Sequence, residues 1–163
     1  MRWHEFQAAC PDLATLATER FTRDELVLLG TNRPNGWPRI SPCELDITAG
    51  QLFLGMMWQS WKARDLLRDP RISVHSLPPG KDNAAGDLKL YGRAVDVSDP
   101  DQRTAFLKAI KERIDWAPKE PYNLFALDVE HGGYIRFGDG MITTWTWDPT
   151  AGLVKEQQPD PND

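Results

Sequence analysis

The segment Ser60-Trp61-Lys62-Ala63-Arg64-Asp65-Leu66-Leu67, closed by Asp69-Pro70, puts two cations in the opening turn of a short helix. Helix N-termini expose free N–H groups and carry partial positive charge, so Lys62 and Arg64 sit there at a small electrostatic cost. A bound anion reverses that sign. Ser60 at the N-cap adds a hydroxyl, and phosphate on a helix N-terminus is a recurring arrangement. The segment therefore reads as a cradle for a cofactor phosphate. The competing reading is a solvated helix face, on which Arg64 and Arg68, or Trp61 and Asp65, merely share a side. The chain has seven tryptophans. Trp58 and Trp61 bracket this segment and are placed to wall a flat ring, whereas several of the others are expected in the core.

The rest of the composition narrows the setting. At 163 residues the chain suits one domain with a sizeable core. Forty per cent hydrophobic and 26% charged residues make an ordinary globular composition. A net charge of −5 argues against a nucleic-acid binder, so the local cations need a local explanation. No window approaches the ~20 apolar residues of a membrane span, and Glu5, Gln7 and Asp12 leave no room for a secretory apolar region. A cytoplasmic protein is expected. Cys10 and Cys43 show no paired spacing, and His4, His75 and His131 are scattered, so neither a disulfide framework nor a metal site is expected.

The elements that must position the cradle follow from hydrophobic period and turn chemistry. Pro11 to Phe21 reads as a helix with Leu13, Leu16 and Ala17 on one face. Leu26 to Thr31 reads as a buried strand, turned at Pro34-Asn35-Gly36 into a return strand from Trp37 to Ile47. Pro42 within that strand marks an edge position or a bulge. Leu52 to Met57 completes a meander, and a helix from Trp61 to Arg68 is stopped by Pro70. Strands are expected over Ile72–Leu77 and Leu88–Val97, the second with a bulge near Gly92. Between them, Pro78 to Asp87 reads as an exposed loop and the best internal candidate for mobility. Asp99, Pro100 and Gln102 open a further helix whose stripe is Phe106, Ala109, Ile110 and Ile114. Leu124–Glu130 reads as a strand, and Tyr134–Phe137 with Met141–Trp147 as a terminal hairpin. About eight strands and two or three helices, joined mostly by hairpins, make the chain mainly β with peripheral helices, built as an antiparallel barrel. The domain is placed at 1–150, with 151–163 as a disordered tail.

Four pieces in order resemble the pyridoxamine 5′-phosphate oxidase-like, FMN-binding split-barrel superfamily. They are Gly36-Trp37-Pro38-Arg39-Ile40-Ser41-Pro42; Gln51-Leu52-Phe53-Leu54; Ser60, Lys62 and Leu66 with Asp69-Pro70-Arg71-Ile72-Ser73-Val74; and Asp87-Leu88-Lys89-Leu90-Tyr91-Gly92-Arg93-Ala94. The resemblance spans Glu25 to Asp148. It implies a homodimeric split β-barrel with a flavin mononucleotide at each of two subunit interfaces. Arg39 and Ser41 would contact the cofactor, with the Ile40 backbone along the ring. Met56 and Met57 would lie near the ribityl chain or ring, and Ser60, Lys62 and Arg64 would hold the phosphate. An arginine near the ring's pyrimidine edge would stabilise negative charge on reduced flavin. Taken without the resemblance, Arg39 is equally an ordinary solvent-facing strand arginine, and Ser41 before Pro42 simply opens a turn.

The chain also departs from the vitamin B6 oxidase itself, which ends in an arginine-rich substrate segment. Here that place holds Thr143-Thr144-Trp145-Thr146-Trp147-Asp148-Pro149, so pyridoxamine phosphate is not the expected substrate. Trp145 and Trp147 share a strand face and line the substrate pocket, the dimer seam or the core. The Lys62-x-Arg64 pair equally resembles the branch that uses the deazaflavin F420. The expectation is a homodimeric, flavin-dependent oxidoreductase acting on a small molecule, with no nucleic-acid or membrane partner and no side chain assigned as acid or base. The alternatives are an F420-dependent reductase of the same fold, a non-catalytic flavin- or haem-binding protein, and an interaction module without cofactor.

Overall fold

The turn at Asn35-Gly36 sets the pairing from which the molecule is built. In the computed structural model, which describes residues 1–78, 80 and 85–161, β1 (Leu26–Asn32) lies antiparallel to β2 (Pro38–Thr48). Thr31 stands opposite Arg39, and Val27 opposite Cys43. Gly36 adopts φ +83°, open to glycine, and donates its N–H to the Arg33 carbonyl at 2.9 Å. β3 (Gln51–Met57) returns along only the second half of β2, from Glu44 to Thr48. Pro42 therefore lies where β2 has no neighbour on its β3 side, the edge setting that its missing N–H requires.

On its other side β1 pairs with β4 (Arg71–His75), then come β5 (Asp87–Asp96) and β6 (Tyr122–Gly138). The first part of β6 closes onto β3, with Phe53 opposite Ala126. β1 to β6 thus form a closed antiparallel barrel, the mainly β architecture expected. The β5–β6 register shifts between Tyr91 and Gly92, but the extra residue is Glu130 on β6, skipped between His131 and Val129. β5 itself alternates without a break, so the bulge expected on that strand lies on its partner. A Cβ at Gly92 would stand 1.9 Å from the Asp128 carbonyl oxygen, so glycine is required by that close approach.

Three further expectations change. Residues 124–130 and 134–137 are not separate strands but parts of the continuous 17-residue β6. The alternation changes phase at the extra residue Glu130, so that Val129 and Gly132 both face inward, and at Gly132 a Cβ would meet Leu13 Cδ2 of α2 (Pro11–Arg23) at 2.6 Å. Most of the segment read as a tail is a strand: β8 (Gly152–Pro159) pairs along all of β7 (Met141–Asp148), which itself extends the sheet from the end of β6, and residues 162–163 lie outside the described residues. Cross-strand pairing and the packing of Leu153 on the core outweigh the polar composition of that segment. Four helices, not two or three, occur among the described residues. The extra one is α1 (Trp3–Ala9), too short for a helical period to show; it buries Trp3 and Phe6. Phe6 meets Trp147 edge-on at 4.9 Å between ring centroids, so Trp147 is a core residue.

The main core fills the barrel, with Leu29, Leu45, Leu54, Leu90 and Leu127 inside and α2 and α3 (Trp61–Arg68) contributing Ala17, Phe21, Ala63 and Leu66. α4 (Pro100–Ile114) makes a second core on the outer face, where Phe106 and Ile110 cover Phe53, Tyr122 and Leu124. Each fully buried side chain of this size contributes about 1.5–3 kcal/mol. Asp99 caps α4 as expected, accepting from the Asp101 and Gln102 N–H groups. Half of the loop expected at Pro78–Asp87, residues 79 and 81–84, lies outside the described residues. No helix among the described residues is long and apolar enough to cross a membrane.

Candidate functional site

The end of β3 turns sharply into α3. Gln59 takes φ +53°, a left-handed conformation a non-glycine residue keeps only when its surroundings demand it. Here the buried Asn123 side chain of β6 accepts the Gln59 N–H at 2.8 Å, and the Met57 carbonyl accepts the Ser60 N–H at 3.1 Å. The turn is thereby pinned to the barrel wall, and α3 begins at a defined point.

Ser60 occupies the N-cap position, but its hydroxyl makes no capping hydrogen bond. Its Oγ is buried with no partner among the described residues. The first turn of α3 contains no acid. Lys62 folds back over the open edge of β2 and donates its Nζ to the Pro42 carbonyl. Arg64 is exposed, and its guanidinium lies 5.5 Å from the centre of the Trp61 ring. Arg39 reaches the same ring from β2, at 5.9 Å. Three cations from two elements therefore surround the start of α3, beside an unsatisfied hydroxyl. A phosphate, with its need for several donors and compensating charge, fits this donor set.

Next to it, between β2, β3 and the residue after the α4 C-cap, lies a cleft of about 320 Å³ lined by Leu26, Pro42, Glu44, Gly55, Met56, Met57, Lys62 and Trp116. The structure thus brings Met56, Met57 and Lys62 into one cleft. Arg39 is not part of it: it lies on the helix side, where Asp65 Oδ2 accepts its Nε–H at 2.7 Å. Ser41 is half-buried on the same face of β2 as Arg39, and Ile40 points outward, 74% exposed. Trp58 and Trp61 are exposed and do not line the cleft; Trp116 does.

Trp116 was not legible as a site residue. It is delivered by the end of α4, which Arg113 ties to β2 by donating Nε to Asp46 Oδ2 at 2.8 Å. Asp115, at φ +53°, ends the helix, and Lys111 holds its carboxylate at 2.7 Å. Asp65, read from the sequence only as sharing a helix side with Trp61, is buried and accepts from Thr31 and Arg39. Its one available signal was the Asn35-Gly36 turn, which pairs Thr31 with Arg39 and so sets two donors side by side.

Other titratable groups near α3 have structural causes. The Arg71 guanidinium beside Asp69 holds that carboxyl well below the usual carboxylate range, and Asn32 bonds it at 3.1 Å. Burial pushes the Cys43 thiol up to about 12, and its Sγ donates to the Gly55 carbonyl at 3.1 Å. The histidines lie elsewhere: His4 at Gly50, His75 between Ser76 and Asp87, and His131 exposed on β6.

The closed barrel with this helix-start site defines a class, and the sequence agrees. The chain belongs to the pyridoxamine 5′-phosphate oxidase family, whose model matches residues 14–136. Among solved structures it is similar to a Clostridium acetobutylicum protein related to general stress protein 26 of B. subtilis, of the pyridoxinephosphate oxidase family. That likeness has a TM-score of 0.63 at 19% identity, covering 86% of this chain and 98% of that one. It is similar also to a haem-binding protein from Mycobacterium smegmatis (TM-score 0.60, 18% identity, 88% of this chain and 57% of that one). A third is HutZ, a haem storage protein from Vibrio cholerae (TM-score 0.58, 19% identity, 69% and 87%). At such identities these likenesses speak to fold. Among curated proteins no sequence matches.

Proposed function

We propose that the protein is an FMN-dependent oxidoreductase of this family, homodimeric and cytoplasmic, with the cofactor held at the start of α3 and in the adjoining cleft. One observation carries this reading: the buried, unpartnered Ser60 hydroxyl stands at a helix start ringed by Lys62, Arg64 and Arg39, with no acid in that turn. Ser60, Lys62 and Arg64 hold the phosphate, with Arg39 supplying charge from β2. Met56 and Met57 give the ribityl chain and ring an apolar, polarisable wall. Bound flavin supplies two-electron transfer between an organic or nicotinamide donor and a small acceptor. The protein's part is to bind, orient and screen it.

The homodimer is supported by apolar surface around the site. Trp37, Ile40, Met57, Trp58, Trp61 and Leu67 are each between 49% and 79% exposed on the β1–β2 hairpin, the end of β3 and α3. So many large apolar side chains in one region are a mark of an interface. F420 offers the same cradle a longer acidic tail and is the variant reading for the cofactor.

A second reading is haem binding, favoured by the description of two structural neighbours as haem-binding and haem storage proteins. Against it, none of the three histidines lines the cleft. Mass spectrometry and the absorption spectrum of the small molecule that co-purifies test the choice. FMN with its flavin bands is the expected result, and a Soret band with haem mass would overturn it. Turnover with a reduced nicotinamide and an acceptor then separates an enzyme from a flavin carrier.

A further inference from the structure

We propose that Asp65 is a positioning residue that presents the Arg39 guanidinium to the cofactor's phosphate monoester, an inference resting on the FMN reading above. Asp65 lies on the second turn of α3 and is 2% exposed. A carboxylate so buried is costly unless its acceptor sites are filled. Its Oδ2 accepts twice, from Thr31 Oγ1 at 2.9 Å and from Arg39 Nε at 2.7 Å. Those two donors are direct cross-strand partners on β1 and β2, so one oxygen gathers a pair that the hairpin register has set side by side. Oδ1 lies 3.8 Å from an Arg68 nitrogen on the same helix.

The choice of donor atom matters. Arg39 gives Asp65 only its Nε edge, and among the described residues its two terminal nitrogens have no hydrogen-bond partner. A guanidinium held by Nε keeps a planar fork of N–H donors, the arrangement that grips phosphate bidentately. The ring that Arg39 shares with Arg64 belongs to Trp61, the residue directly after the unsatisfied Ser60 hydroxyl. Asp65 therefore holds one edge of Arg39 and leaves the other for the anion. A mere tie between helix and barrel would not need a donor with a second edge.

Paired titrations of the full-length protein with FMN and with riboflavin, which has the same ring and ribityl chain without phosphate, test this. In Asp65→Asn the affinity ratio of FMN to riboflavin falls about tenfold, since an Arg39 no longer held must be ordered at binding. In an Arg39→Met background Asp65→Asn changes the ratio no further. Arg39→Lys restores only part of the ratio lost in Arg39→Met, because its ammonium keeps the charge but offers the phosphate no planar fork. Should Asp65→Asn not fold, Thr31→Val removes one donor from Oδ2, keeps both charges and lowers the same ratio in the same direction.

The proposal is overturned if FMN and riboflavin weaken together, if Asp65→Asn raises the ratio, or if its effect survives in Arg39→Met. Wild-type protein that binds riboflavin as tightly as FMN removes the phosphate site and this inference with it. FMN discrimination that is strong but untouched by Asp65→Asn leaves the site standing and sinks Asp65 alone.

Discussion

Gly55 is a bare floor beneath Phe106: a Cβ there would lie 2.7 Å from the Phe106 Cζ. Gly55 also lines the cleft, so the same missing side chain seats α4 and opens the site. Phe106 is fully buried and cannot swing away. Gly55→Ala is therefore expected to destabilise the fold by about 1–3 kcal/mol, the usual effect of overpacking. A shift of the urea midpoint to lower concentration checks this, and an unchanged midpoint contradicts it.

The tie between Asp46 and Arg113 holds the end of α4, and with it Trp116, against β2. Both side chains are largely buried, so removing one partner strands the other charge. Asp46→Ala should cost about 3–5 kcal/mol, whereas Asp46→Leu combined with Arg113→Met should recover most of that loss. Chemical denaturation of the single and double variants decides it. Equal losses in both would mean the pair carries no special role.

Strand β8 is part of the fold despite its composition. Truncation after Thr150 removes its pairing with β7, the Leu153 contact and the Lys155–Asp12 ion pair of 2.7 Å, and bares the β7 edge. The shortened chain should melt lower by about 5–10 °C and associate through the exposed strand. Thermal unfolding and light scattering measure both effects. A truncated protein that melts with the full chain would return the segment to the status of a tail.

The Cys43 thiol should be inert in the folded protein. It is fully buried, burial pushes it up to about 12, and the unfolded chain has a thiol near the ordinary value of about 8.5. A raised folded value means this group stabilises fully below that ordinary value. Its contribution fades as pH climbs from there toward 12, because only the unfolded state gains by ionising. Maleimide at pH 8 should leave Cys43 unlabelled until denaturant is added. Cys43→Ala should flatten the alkaline fall in stability, and rapid labelling of native protein would contradict the account.

How much of this could be read beforehand depends on the range of each cause. The β1–β2 hairpin and the Asp99 cap have local chemical signatures, and each appears where the residues place it; the bulge near Gly92 lies on the partner strand, at Glu130. The start of α3 was equally local. What escaped was long-range. Trp116 enters the cleft only because α4 is tied to β2 by residues 67 positions apart. Asp65 matters only because the barrel carries Thr31 and Arg39 to it. α1 is too short to show a period, and β8 is polar by composition and held by its neighbour. The tryptophans illustrate the same limit: Trp58 and Trp61, expected to wall a ring, are exposed outside the cleft, Trp116 lines it, and Trp147 belongs to the core.

The measurement that bears most directly on the whole account is FMN affinity in the Lys62→Ala, Arg64→Ala double variant, by quenching of flavin fluorescence. Charge-assisted bonds to phosphate contribute about 1.5–3 kcal/mol each. The variant should therefore bind FMN at least 100-fold more weakly than wild type, while its far-ultraviolet spectrum and oligomeric state stay unchanged. Wild-type affinity for FMN in that variant would contradict the phosphate cradle and the flavoprotein reading built on it.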